Sequence, residues 1–387
     1  MWLLLLLLCL LLIAYAHAGY PLLMALLARI KSRLPQADGS LPPGISIVLS
    51  VCNAEARIQD RLRNLLACRW PGELEIIVFC DGCSDATAEK VAAMADPRLR
   101  AIPHPRQRGK ATALNEAIPL SRFPIVVLCD ARQDFHPEAL IQLVTPFSDP
   151  AIGAVSGLLE IASSATGSGQ GVDLYWKIER KLREWEGLYD SVIGCTGAIC
   201  AIRRDLFQPL HPATILDDVV VPMRIVVSGH RALYVPAAVA YDPQTLDPVL
   251  EKKRKLRTLA GNYQMIEHFP SWLLPWKNRT WWQLISHKYL RLAVPWLLLT
   301  VLLLTLLAPK TPVILLLLAA QCIAYGAACA GLIMPGLKAR LFTIPAGFLL
   351  LQITCLRALG AYFQSRQDAL SLWQAAPVTA DSPVREP

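Results

Sequence analysis

Several acidic residues in this chain stand where side chains do chemistry, at the ends of apolar runs. In residues 124–134 (PIVVLCDARQD) an uncharged aliphatic stretch stops abruptly at Asp130. That is the pattern of a buried parallel strand delivering one carboxylate to the edge of a sheet. Residues 74–80 end in the same way at Asp81, and 45–51 end beside Cys52 and Asn53. Asp217 and Asp218 follow Ile215 and Leu216 and open a helix that runs toward Gly229. Paired acids at a helix N-terminus are favourable with the dipole and need no function. Two crowded carboxyls behind an apolar pair, however, push one of them toward the raised pKa that a general base needs. A basic run at 251–257 (EKKRKLR) suits either a solvated or lipid-facing helix face or the pairing of a diphosphate.

These groups converge only if the strands run side by side. The pattern predicts strands at 45–51, 74–80, 99–103, 125–129 and 152–161. It predicts helices at 54–67, from the caps Ser84, Asp85 and Thr87 to 95, at 110–119 and at 174–189. Alternation at this spacing implies an α/β fold with a mostly parallel sheet flanked by helices. In such sheets ligands sit beyond the carboxyl ends of the strands, where the strand order reverses. Helix capping accounts for Ser84 and Asp85 but not for Asp130, whose next helix begins only near Pro137. Residues 163–171 (SSATGSGQG) read as a loop able to lie over a substrate, and 193–201 (IGCTGAICA) as backbone that packs closely on a ligand or another strand.

The 387 residues carry a net charge of +8, with Lys and Arg gathered at apolar flanks and near the motifs above. Anionic lipid or a phosphorylated substrate fits that distribution; nucleic acid does not, since no basic patch interleaved with aromatics is present. The first 28 residues contain no Lys, Arg, Asp or Glu and read as a transmembrane helix. A cleaved signal peptide is the weaker reading despite the small-x-small Ala16-His17-Ala18, because a basic leader is missing and the apolar run continues. Arg29, Lys31 and Arg33 then place the following domain in the cytosol, here of a bacterial inner membrane. The eleven cysteines are scattered as in a reducing compartment, and the C-x-x-C of Cys80 and Cys83 has no second pair to make a zinc site.

The expected organisation is a transmembrane helix over 1–28, a linker over 29–44, a catalytic domain over 45–245 and interfacial helices over 246–290. Two to three transmembrane helices over 291–364 and a polar tail over 365–387 complete it. Trp272, Trp276, Trp281 and Trp282 mark headgroup depth. Spans are expected at 292–309 and 311–337, with 341–356 a short third. Four spans in all would leave the tail opposite the catalytic domain, against its charge; a re-entrant or interfacial last segment is the alternative.

With Asn53, Asp81, Lys110, Asp130 and Asp218 in place, residues 45–264 resemble the family 2 glycosyltransferases, in particular the membrane-embedded branch of cellulose, hyaluronan and ceramide-glucoside synthases. The resemblance implies a GT-A domain and a donor site built from Asn53 and Glu55, from Asp81 in Asp81-Gly82-Cys83-Ser84-Asp85, and from Lys110, Asp130, Arg254 and Arg257. It implies Asp218 as catalytic base, within a register of Asp217, Asp218, Arg224, Gly229 and Arg231, and Thr196, Gly197 and Asp217 near the acceptor. Two departures matter. The second acid of the family's D-x-D signature is Arg132 here, leaving Asp134 as the nearest replacement beside Asp130 for a metal, Mg²⁺ or Mn²⁺. Thr258 stands where the family's processive members carry tryptophan.

The implied activity is inverting transfer from a nucleotide diphosphate sugar, of the UDP-linked class, to a lipid-linked or glycan acceptor at the membrane. A processive polysaccharide synthase is the alternative within the family. A membrane-anchored nucleotidyltransferase is the alternative outside it, opposed by the lack of a Gly-rich phosphate loop near the first strand.

Overall fold

The computed structural model describes residues 2–161, 170–242, 248–334, 336–337 and 339–365; most of the predicted 163–171 loop and nearly all of the polar tail lie outside them. Eight strands form one sheet: β1 (Gly44–Val51), β2 (Glu73–Asp81), β3 (Leu99–His104), β4 (Ile125–Cys129), β5 (Asp134–Phe135), β6 (Ile152–Ile161), β7 (Ile199–Arg203) and β8 (Arg231–Asp242). Their order is β3-β2-β1-β4-β7-β6-β8-β5. β1, β2, β3 and β4 pair in parallel; β1, β4 and most of β2 are the continuous apolar sequences of strands covered on both faces, while β3 (LRAIPH) is the partly exposed edge.

The second half of the sheet is mixed. β7 runs antiparallel to both β4 and β6, and β5 antiparallel to β8. The reversal positions the site, because the register pairs Cys129 with Ile199. Residues just before β7 therefore come to lie beside residues just after β4, and Gly197 is brought to Asp130.

The helices on the sheet follow apolar periodicity. The Ile58–Ala67 helix buries Ile58, Leu62 and Leu65 against β1 and β2, and on the same face it buries Arg61 completely. The Lys110–Ala117 helix starts at Gly109, whose φ of +88° is a conformation that glycine tolerates at no steric cost.

Among the described residues, four helices are long and apolar enough to cross a membrane: Trp2–Ile30, Trp281–Leu307, Pro312–Ile333 and Arg340–Ser365. The second begins at Trp281 and runs without a break through the expected boundary at 290. The fourth, at 26 residues, is longer than the short segment expected. Leu6 and Cys9 of the first pack on Val301 and Leu304 of the second and on Ala308 just after it. The fourth lies along the Pro248–His268 helix, where Tyr263 bonds Cys355 at 3.8 Å and Tyr362 donates to Glu267.

Candidate active site

At the carboxyl edge of the sheet, Asp81 ends β2 and is almost wholly buried. Its two carboxylate oxygens accept the amide hydrogens of Arg108 (2.9 Å) and Gly109 (2.7 Å). Asp81 therefore fixes the turn that aims Lys110. Gly82 beside it has a φ of +63°, and a Cβ there would lie 2.1 Å from the Gln107 nitrogen, so the close approach of the two turns requires glycine.

Lys110 is the centre of charge. Its Nζ lies 2.9 Å from Asp130 Oδ1 and 3.2 Å from Asp217 Oδ2. Burial works against its charge, but Asp130 and Asp217 outweigh it and hold the ammonium well above the ordinary lysine range. A Cβ placed on Gly197 would lie 3.5 Å from Lys110 Nζ, 3.7 Å from Asp130 Oδ2 and 3.7 Å from Asp218 Cβ. The three residues thus border one point, Asp218 by its Cβ, with Leu128, Cys200, Val221 and Pro222 as apolar walls beside it.

Asp218 is half-buried, and its pKa is pushed up to about 6. Burial contributes most and the neighbouring Asp217 adds to it, while Lys110, Lys288 and Arg257 pull the other way. Arg257, on the Pro248–His268 helix, is thereby placed within electrostatic reach of the site, and Arg254 lies one turn earlier on the same helix. That helix also grips the approach to the base. Gln264 accepts the Ile215 amide (2.9 Å) and donates to the Ala213 carbonyl (2.7 Å), while Gly261 leaves room for Leu216.

Pro222 is interior to the Asp217–Val227 helix and has no N–H to give the Asp218 carbonyl. The Cys195 amide takes that carbonyl instead, at 2.7 Å. The Thr196 amide next to it donates to Ser156 Oγ at 3.0 Å. The turn carrying Gly197 is thus docked onto the backbone of Asp218 itself.

Other expected residues are placed differently. Asn53, at a φ of +51°, accepts the Ser84 amide (2.8 Å) and donates to Ser84 Oγ (3.1 Å). Glu55 accepts the Ala86 amide at 3.1 Å. Both bind the turn after β1 to the turn after β2. Asp134 is the other residue expected as a metal ligand. It lies in β5, and its carboxylate pairs with Arg57. Arg132, standing for the second acid of D-x-D, pairs with buried Asp242 at 2.5 Å.

A divalent cation arriving with a diphosphate needs only one or two carboxylates, because phosphate oxygens and waters complete its shell. Asp130 fits that demand, with Oδ1 on Lys110, Oδ2 toward Gly197 and 42% of the side chain exposed. Among the described residues no three His, Cys, Asp or Glu side chains are grouped to hold a metal by themselves.

Sequence reasoning missed two arginines. Arg61 Nε donates to the Asp130 carbonyl at 3.1 Å, its guanidinium 4.3 Å from the Phe135 centroid, and Arg57 Nε donates to the Arg132 carbonyl at 2.8 Å. Together they fix the backbone on which Asp130 stands. The signal was an arginine on the apolar face of an otherwise regular amphipathic helix.

A mixed sheet with carboxylates gathered at one edge, flanked by membrane-type helices, defines a GT-A glycosyltransferase. The chain belongs to glycosyltransferase family 2: residues 42–261 match the family described as "Glycosyltransferase like family 2". It is 27% identical over 232 residues to the poly-beta-1,6-N-acetyl-D-glucosamine synthase of Staphylococcus aureus (strain COL), covering 58% of this chain and 55% of that one. To the Staphylococcus epidermidis synthase it is 25% identical over 245 residues, 61% of this chain and 58% of that one. The chain spans little more than half the length of these curated relatives. In fold it is similar to a mannosyltransferase of Pyrobaculum calidifontis, solved in complex with GDP-Man and Mn²⁺. The TM-score is 0.70 and the identity 22%, over 94% of this chain and 100% of that one.

Proposed function

We propose that this family 2 enzyme transfers a sugar from a nucleotide diphosphate sugar, of the UDP-linked class, to a hydroxyl of a lipid-linked or polysaccharide acceptor, with inversion. The observation that carries the reading is the convergence of Lys110, Asp130 and Asp218 on Gly197. One displacement needs a stabilised leaving diphosphate on one side of the anomeric carbon and a base on the other. Asp218 takes the acceptor proton, and a pKa of about 6 leaves it largely ionised and still basic near neutrality. The acceptor oxygen bonds the anomeric carbon as the bond to the diphosphate breaks.

Lys110, with Arg257 and Arg254 from the Pro248–His268 helix, meets the diphosphate charge. Asp130 is the residue that would hold Mg²⁺ or Mn²⁺, which when bound neutralises charge developing on the leaving group. Asp81, Asn53 and Glu55 position the donor end through the turns they tie. The side of Gly197, Thr196 and Asp217 receives the acceptor. The Arg29, Lys31 and Arg33 flank supports a cytosolic catalytic domain on a bacterial inner membrane.

A processive synthase is the second reading, favoured by the names of the staphylococcal relatives and opposed by Thr258. Purified protein in a membrane mimetic, offered a panel of nucleotide sugars with and without Mn²⁺, tests both. The expected result is hydrolysis or transfer of one donor with release of the nucleoside diphosphate. Product length separates single from processive transfer, and inertness toward every donor sinks the proposal.

A further inference from the structure

Three elements meet on the membrane side of the base: the Gln170–Tyr189 helix, the first apolar helix and the Trp281–Leu307 helix. Most of their charged groups are spent on one another. Buried Glu186 accepts from Tyr20 (2.5 Å) and bonds His287 Nδ1 (2.8 Å). Glu179 meets His287 Nε2 at 2.6 Å and accepts from Arg291 at 2.9 Å. Lys181 pairs with Glu184.

Arg180, which donates a 3.5 Å bond to the Leu159 carbonyl, Arg183 and Lys288 are among the cations left over, and the last two lie toward the base. Lys288 follows His287, and among the described residues it makes no hydrogen bond or ion pair; Glu179 and Glu186 attract it without closing a contact. Arg183 has no carboxylate partner among the described residues. It donates only a long bond, 3.5 Å, to the Gly194 carbonyl, with its guanidinium 5.8 Å from the Tyr234 centroid. Both side chains are half-buried, and they stand close enough to repel each other. Gly194 precedes Cys195, whose amide holds the Asp218 carbonyl, and the Lys288 charge reaches the Asp218 carboxyl. The pair therefore flanks the base.

Holding two like charges together, partly out of water and with the Glu179 and Glu186 carboxylates near but closing no contact, costs stability unless an anion is meant to join them. Trp281 and Trp282, one to two turns earlier on the Lys288 helix, place that cation near headgroup depth, where the anion that approaches from a bilayer is a phosphate. We propose that Lys288 and Arg183 bind the phosphate of a lipid-phosphate-linked sugar acceptor and so hold its hydroxyl at Asp218. This acceptor assignment rests on the transfer reaction proposed above; the phosphate site itself does not. The acceptor phosphate is unchanged by the reaction. The new bond joins the sugar hydroxyl oxygen to the donor's anomeric carbon, the proton goes to Asp218 and the nucleoside diphosphate leaves.

Binding to the 387-residue chain in detergent micelles tests the site, with a polyisoprenyl phosphate, the matching polyisoprenol and inorganic phosphate as probes. The wild type is expected to bind the phosphate lipid about 10- to 100-fold more tightly than the alcohol, the range of one or two charge-assisted hydrogen bonds. Lys288→Met should remove most of that preference, Lys288→Arg should keep much of it, and nucleotide affinity should be unchanged in both. If Lys288→Met does not fold, Arg183→Met carries the same comparison. Equal binding of the two lipids by the wild type overturns the proposal. So does a preference untouched by either Met variant, or inorganic phosphate competing at the lipid's own concentration. Weaker nucleotide binding in Lys288→Met would move that cation to the donor and overturn it as well. Because the readout is binding, absence of transfer with every nucleotide sugar would defeat the proposed reaction while leaving this result standing.

Discussion

Gly197→Ala isolates the site's geometry from its stability. The added methyl would sit 3.5 Å from Lys110 Nζ, 3.7 Å from Asp130 Oδ2 and 3.7 Å from Asp218 Cβ. Those are ordinary contact distances, so nothing in the folded protein has to move. Gly197 has no left-handed φ to lose, so the exchange should change stability by no more than about 1 kcal/mol, with either sign open. The methyl does occupy the point that the three residues border. A reacting carbon displaced by about 1 Å typically loses on the order of 10²-fold in rate, about 2.7 kcal/mol in the barrier. Release of nucleoside diphosphate, followed beside a thermal melt, measures both quantities. The expectation is an unchanged melt with kcat/KM down about 100-fold. Turnover within a few-fold of wild type would show that chemistry does not occur at this point, and the assignment of all three residues would go with it.

Asp218→Asn should cost about 10² to 10⁴ in rate while nucleotide affinity, read by titration, stays within error; wild-type turnover would remove Asp218 as base. The rate should rise with pH through about 6, and Asp217→Asn, which deletes a like charge, should move that limb to lower pH. The same shift bears on stability. The fold binds the Asp218 proton more tightly than the unfolded chain does, so this contribution is full below the ordinary carboxyl pKa of 3.8 and is lost as pH rises through about 6. Urea titrations of wild type and Asp218→Asn across that window would show it. Asp81→Ala frees two amides and should weaken nucleotide binding by loosening the Lys110 turn; unchanged affinity would exclude Asp81 from any part in the site.

The donor half of the site was legible because parallel strands announce themselves. β1, β2 and β4 are continuous apolar runs, and such runs can end productively only at their carboxyl edge. The Asp217–Asp218 pair was legible for a similar reason, as two acids opening an apolar helix. The antiparallel insertion of β7 was not. Its sequence has no alternation, and its direction is decided by pairing with residues some 70 positions earlier in the chain. The ion pair of Asp134 was hidden for the same kind of reason: its partner Arg57 lies 77 residues away, and local sequence cannot report a long-range ion pair. The charges at 174–189 read as a mixed helix face, and only His287 and Arg291, from another helix, show which of them are paired.

Pro222 carries a cost for anyone seeking a sturdier protein. Alanine there would return a backbone hydrogen bond to the helix and remove a penalty of up to about 3 kcal/mol, so a screen for heat resistance would favour the exchange. The restored amide would then compete with Cys195 for the Asp218 carbonyl. The variant would gain a firmer helix and lose the clasp that seats Gly197 against the base, trading turnover for endurance. Thermal selection and activity selection should therefore choose opposite residues at this position.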